Sequence, residues 1–169
     1  MTRMTLARSV VILMAILLVA ACSKTQPNNY GLGGGGADGP ITPGSEREFA
    51  VKVGDTVHFT TDSPDLSPEA QQTLNAQAQW LSQYPNYAIT IEGHADERGT
   101  REYNIALGAQ RASAVKQFLS QRGINPGRVR TLSYGRERPV AVCSDISCWS
   151  QNRRAVTVLG RGGGPVASY

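Results

Sequence analysis

The chain is short of what the common hydrolases use. It contains two histidines, His58 and His94. HExxH is absent, so the helical zinc-ligand pair of metalloproteases has nowhere to form. GxSxG is absent as well, which removes the strained serine elbow of α/β hydrolases. Aromatic residues are 7% of the chain, and no basic run interleaves with them; no nucleic-acid partner is expected. The longest apolar run, Val10 to Ala21, has twelve residues, against the roughly 20 that a bilayer-spanning helix needs. Three cysteines complete the list of scarce chemistry.

The short apolar run follows Arg3 and Arg8 and ends in Val19-Ala20-Ala21-Cys22. That order is the layout of an export signal rather than of a membrane anchor. The ending resembles a bacterial lipobox, in which small residues fit the peptidase and the cysteine is then lipidated. An ordinary signal peptide with a chance cysteine is the alternative. A lipidated Cys22 would carry more than one acyl chain, enough for stable anchoring. Ser23 follows, where inner-membrane lipoproteins commonly have aspartate, so the expected address is the outer membrane, facing the periplasm. Of the seventeen basic residues, Arg3 and Arg8 leave with the signal; fifteen then oppose thirteen acidic ones, a net of +2.

Residues 23–45 contain seven glycines and three prolines. Such a stretch buries too little apolar surface to offset the ordering of its backbone. The expected organisation is a cleaved signal (1–21), a lipidated N-terminus with a flexible tether (22–45), one domain (46–160) and a disordered tail (161–169). As a Gly-rich coil the tether spans about 25 Å on average and about 75 Å when stretched.

Within the domain, Phe49 to Val53 and Thr56 to Phe59 alternate apolar and polar residues around Gly54-Asp55, which predicts two short strands. Ser67-Pro68-Glu69 is a helix start, and Ala70, Leu74, Ala78 and Leu81 recur at helical spacing until Pro85. Tyr87 to Gly93 reads as a strand with Ile89 and Ile91 on one face. A second helix is predicted over about Arg101 to Gln121, with Gly108, Ala112, Val115 and Leu119 as its core stripe and Gly123 at its cap. Val129 to Tyr134 and Arg154 to Leu159 are further strands. The expected fold class is α+β, a β-α-β-α-β-β two-layer sandwich with one mixed sheet and its helices on one face.

The stretch EGHADERGT (92–100) falls where the strand stops and before the second helix begins. Loops in that position are common ligand sites, and the free N–H groups of the first turn attract anions. On the helix, Asn104 and Arg111 lie close to two full turns apart and share a face, with Leu107 between them. Asp96 would take an ammonium group and Arg111 would clasp a carboxylate, which suits a zwitterionic amino-acid end. Direct pairing of Asp96 with Arg111, with Asn104 merely solvated, is the plainer alternative. His94, Asp96 and Glu97 share no established metal-ligand spacing, and adjacent Asp96 and Glu97 would tend to point apart. No metal, cofactor or catalytic residue is expected. His94 reads as a residue that orients or packs beneath the turn, with Gly93 and Gly99 supplying backbone freedom. Cys143 and Cys148 form an even pair in an oxidising compartment, expected as a disulfide closing CSDISC, with a free thiol pair or a metal clip as rivals.

The run IEGHADERGTREYNIALGAQRASAV, continuing through SYGRERP to WSQNRRAV, resembles the OmpA-like peptidoglycan-binding domain over roughly 57–159. The resemblance implies non-covalent recognition of the meso-diaminopimelate of the peptidoglycan stem peptide. It implies Asp96 and Arg111 as principal contacts, Thr100, Asn104, Leu107 and Phe59 as further pocket positions, Glu97 as a lesser member, and Arg154 bordering the same region. It also implies a second partner, the periplasmic β-propeller protein TolB, with other Tol components. Many members carry Phe-Asp where this chain has Phe59-Thr60, which leaves that aspartate's contribution absent or supplied by Asp62. The Cys143–Cys148 loop is not general in the family. A wall hydrolase or amidase built on the EGHADE cluster, and an adaptor acting mainly through protein partners, are the rival functions.

Overall fold

The computed structural model describes residues 41–161, so Cys22, the signal, most of the tether and nearly all of the tail lie outside the described residues. Four strands form one sheet in the order β1-β4-β2-β3. They are β1 (Thr56–His58), β2 (Tyr87–His94), β3 (Val129–Gly135) and β4 (Arg154–Arg161). β2 runs parallel to β3, while β4 is antiparallel to β1 and β2. The sheet is therefore mixed, as expected.

Among the described residues, three α-helices of seven residues or more accompany it: α1 (Pro68–Gln83), α2 (Arg101–Gln121) and a short α3 (Ile146–Asn152). Ser67 caps α1 by accepting from the Ala70 N–H, with Pro68 at the first position, where no donor is missed. Thr100 caps α2 in the same way through Tyr103. Gly123, at φ +91°, closes α2 in the left-handed conformation, and the Ile124 N–H returns to the Leu119 carbonyl.

The stripe Gly108, Ala112, Val115 and Leu119 is buried, as is the Ile89–Ile91 face of β2. Thr90 and Glu92 face the other way and stay half-buried. Gly108 meets Gly93 of β2 so closely that a Cβ on Gly93 would overlap the Gly108 carbonyl oxygen. Two glycines thus let the backbone of α2 lie directly on β2. This contact draws the start of α2 against the end of β2, where the charged residues are.

Two expectations fail. Phe49 to Val53 is not a strand: Glu46–Glu48 is a helical turn that runs into a π-helical stretch, Phe49–Gly54. Ser45 caps this segment, Phe49 packs its ring 5.0 Å from Trp80, and Val51 stays 62% exposed. A strand would have needed Val51 on the same buried face as Phe49 and Val53. α3 was not expected either, although Asp145 caps it by accepting from the Ser147 N–H. Its seven residues are too few for a readable period. The Cys143–Cys148 disulfide is formed, with Cα atoms 5.6 Å apart, and it leads into this helix. At the other end, Gly44 is tied to the domain by hydrogen bonds with Tyr87 and Glu48.

Candidate functional site

The site begins with an irregularity. Between Gly93 and His94 the pairing of β2 with β3 shifts, so that His94 stands opposite Gly135 and Tyr134 is skipped. Such a bulge bends a strand and re-aims the side chains beyond it. The chain then turns through 95–100 into α2. Asp96 holds that turn by accepting from the Arg98 backbone N–H at 3.1 Å, the local bond that aspartate makes to its own backbone two residues on. Gly99 takes φ +86°. The Asn104 amide, 1% exposed, donates to the Arg98 carbonyl at 2.7 Å, and Arg136 donates to the carbonyls of Glu97 and Gly99.

The Asp96 carboxylate is buried and faces two cations. Arg98 grips it with two roughly parallel bonds, Nη2 to Oδ2 at 2.6 Å and Nε to Oδ1 at 3.2 Å. Arg153 reaches Oδ2 at 3.3 Å and donates through Nε to the Phe59 carbonyl. Burial alone would raise the Asp96 pKa, but hydrogen bonds from Arg98 and Arg153 outweigh it and hold the group below the ordinary carboxylate value.

Arg111 is fully buried and holds three backbone carbonyls: Ser63 through Nε, His94 through Nη1 and Thr60 through Nη2. Its guanidinium lies 5.1 Å from the Phe59 ring centroid. Burial, helped by the neighbouring Arg153 charge, lowers its pKa to about 10, so it stays protonated at neutral pH. The alternative in which Arg111 spends itself on Asp96 is not what the chain does; each charge has its own partners. Leu107 is buried on α2 between Asn104 and Arg111.

The other expected residues divide. Thr100 is the exposed cap of α2. Phe59 is buried, and its carbonyl and ring join Arg153 and Arg111. Thr60 contributes its carbonyl, while Asp62 sits at φ +51° with its charge felt by Arg98 and Arg111. Glu97 points outward and accepts from the Trp149 indole N–H at 3.1 Å. Arg154 turns away from Asp96: its donors go to the Asn152 and Arg138 carbonyls, and its charge faces Glu92. Of the two adjacent arginines, Arg153 is the one that reaches Asp96.

His94 is 2% exposed and stacks on Tyr134 at 5.5 Å, and neither ring nitrogen has a hydrogen-bond partner. Burial, then the charges of Arg154 and Arg138, lower its pKa to about 4, so the ring is neutral at neutral pH. Among the described residues, no group of three or more His, Cys, Asp or Glu side chains is placed to hold a metal ion. None of the described helices is long and apolar enough to cross a membrane.

Sequence reasoning gave Arg98, one of the reactive side chains of EGHADERGT, no role at Asp96, and it missed Arg136, Arg153 and Trp149. The doubled arginine in NRR was the available signal, but choosing between its two members requires the register of β4. Trp149 needed the path of the disulfide loop, which no local pattern supplies.

A mixed sheet backed by helices, with buried charges of opposite sign where β2 meets α2, defines a small α+β domain with a polar cluster at one strand end. Residues 58–153 match the OmpA family. The chain is 59% identical over 157 residues to the peptidoglycan-associated lipoprotein of Agrobacterium fabrum, covering 92% of this chain and 89% of that one. It is 44% identical over 129 residues to the protein of that name from Pseudomonas aeruginosa, covering 76% and 74%. The crystal structure of the peptidoglycan-associated lipoprotein from Burkholderia pseudomallei superposes with a TM-score of 0.61 at 42% identity, over 63% of this chain and 90% of that one. The C-terminal domain of Helicobacter pylori MotB shares the fold, with a TM-score of 0.60 at 22% identity, over 64% and 86%. The chain belongs to the OmpA family and, within it, to the peptidoglycan-associated lipoproteins.

Proposed function

We propose that this protein is an outer-membrane lipoprotein that binds peptidoglycan without cleaving it, through the meso-diaminopimelate of the stem peptide. Residues 1–21 are its signal, Cys22 carries the lipid, and the glycine-rich stretch that follows tethers the domain. The domain faces the periplasm and joins outer membrane to wall. TolB and other Tol components are its protein partners in the Tol–Pal system, which serves envelope integrity and cell division.

One observation carries the reading: a buried carboxylate, Asp96, and a buried guanidinium, Arg111, are held separately on adjoining elements. The free end of diaminopimelate bears an ammonium and a carboxylate, the complementary pair. Asp96 takes the ammonium. Arg111 has five N–H donors, of which three hold carbonyls, and the remainder take the carboxylate. Asn104 keeps the 96–100 turn in place, while Phe59, Thr100 and Leu107 border the ligand and Glu97, turned to Trp149, stays at the rim. Arg111 is shielded and held by carbonyls of the 59–63 segment, so entry requires that segment to move aside. Asp96 and Glu97 point to different partners, so the adjacent carboxylates share no reaction centre, and capture fits better than hydrolysis.

The test is cosedimentation of the full chain with purified sacculi. Asp96→Asn keeps the shape and removes the charge; it is expected to leave the protein in the supernatant, while the unaltered chain pellets and TolB competes it off. Pelleting of the variant at the level of the unaltered chain would remove Asp96 from the pocket.

A further inference from the structure

Arg98 stands where a ligand's ammonium would have to go. Its guanidinium meets both carboxylate oxygens of Asp96, yet its side chain is 40% exposed while that of Asp96 is 8% exposed. The second cation on Asp96, Arg153, is also 8% exposed and is fixed through Nε to the Phe59 carbonyl. Only one of the two cations is therefore free to leave. It has somewhere to stay: the Arg98 guanidinium already lies 4.3 Å from the centroid of the Trp149 ring. That ring is held in turn by its indole N–H on Glu97, and it sits in α3 beside Cys148, whose bridge to Cys143 ties the helix to the loop before it.

We propose that Arg98 is a specificity-determining residue: it is the site's own cation, and a ligand binds by displacing it from Asp96 while it stays on the face of Trp149. The inference rests on the ammonium-binding reading of Asp96. An exchange of one cation for another keeps two cations on the buried carboxylate, where Arg153 alone would compensate it less fully in a low dielectric. It also makes recognition a difference of affinities. A ligand without an amine leaves Arg98 in place and finds the carboxylate closed. A ligand with a poorly placed amine loses to the tethered guanidinium, which needs no translational entropy to return. The swing leaves the loop intact, because the bonds that shape it come from the Arg98 backbone: its N–H to Asp96 and its carbonyl to Asn104.

The experiment is calorimetric titration of the full chain, solubilised in detergent, with the tripeptide L-alanyl-γ-D-glutamyl-meso-diaminopimelate. Arg98→Ala and Arg98→Gln are each expected to bind about tenfold more tightly than the unaltered chain, and Asp96→Asn is expected to lose binding. In the unaltered chain, the Arg98 Nε–Hε nuclear magnetic resonance signal should shift on saturation as its bond to Asp96 breaks. Equal or weaker binding by both Arg98 variants, with Asp96→Asn still inactive, overturns the displacement and leaves the pocket standing. An Arg98 signal that stays put on saturation overturns it as well. Equal binding by Asp96→Asn and the unaltered chain, or no binding by the unaltered chain, removes the pocket and the displacement together.

Discussion

Asp96 is buried, and burial disfavours its charge; three hydrogen bonds from Arg98 and one from Arg153 reverse the balance. Arg111 meets the same cost and offsets it with three carbonyls. That makes it a poor probe of binding, since its removal would take a donor from three carbonyls, at about 1–3 kcal/mol for each one left unsatisfied. His94 shows the opposite solution, staying neutral. Its pKa is about 4 folded and 6.5 as a free side chain, so between those values the unfolded chain takes up a proton that the folded one refuses. Stability is then expected to fall as pH drops from about 6.5 to about 4, with Asp96 adding to the loss below its ordinary pKa. His58 is shifted in the same direction by burial and shares the slope. Urea unfolding across this range should show a shallower pH dependence for His94→Gln, with the His58 part left. An unchanged slope would place the proton uptake elsewhere. At this scale the sequence revealed the residues whose spacing on α2 or place in the turn is local: Asp96, Asn104, Leu107 and Arg111. It hid Arg98 and Arg153, because which cation meets a carboxylate depends on a strand register and a rotamer.

The elements that position the site were legible where period and punctuation agreed. Ser67-Pro68 opened α1, Gly123 closed α2, and alternation marked β2. The segment 49–54 misled because Phe49, Val51 and Val53 alternate like a strand while Val51 faces solvent on a π-helical turn. The most demanding contact between elements is Gly108 on Gly93. A Cβ on Gly108 would overlap the Ser133 hydroxyl and press on the Gly93 carbonyl. Ser133 is also bonded to the Ile105 carbonyl, so it is not free to yield. Gly108→Ala is expected to cost about 2–3 kcal/mol, as overpacking does, and a chemical denaturation midpoint measures it. A midpoint equal to that of the unaltered chain would mean that α2 is not held at this distance by the two glycines. The displaced helix would also carry Asn104 and Arg111 away from Asp96, linking packing to recognition.

Over the whole molecule, the α+β class, the mixed sheet and the family were readable from order and motif, since the four sheet strands and the two long helices announce themselves locally. The strand order, with β4 between β1 and β2, was not, because it is set by contacts distant in sequence. That order brings Arg153, at the head of β4, beside the turn that follows β2. In the proposed account the lipid and the domain act through the tether: anchoring raises the domain's effective concentration near the wall, so a modest, reversible capture suffices. In this proposal, capture reads the zwitterionic end of diaminopimelate. The direct measurement is the affinity of the full chain for the meso-diaminopimelate tripeptide against the same tripeptide ending in L-lysine, which keeps the amine and lacks the carboxylate. Capture of the zwitterionic end predicts binding of the first and at least tenfold weaker binding of the second, the loss of about one charge-assisted bond. Equal affinity for the two would contradict it.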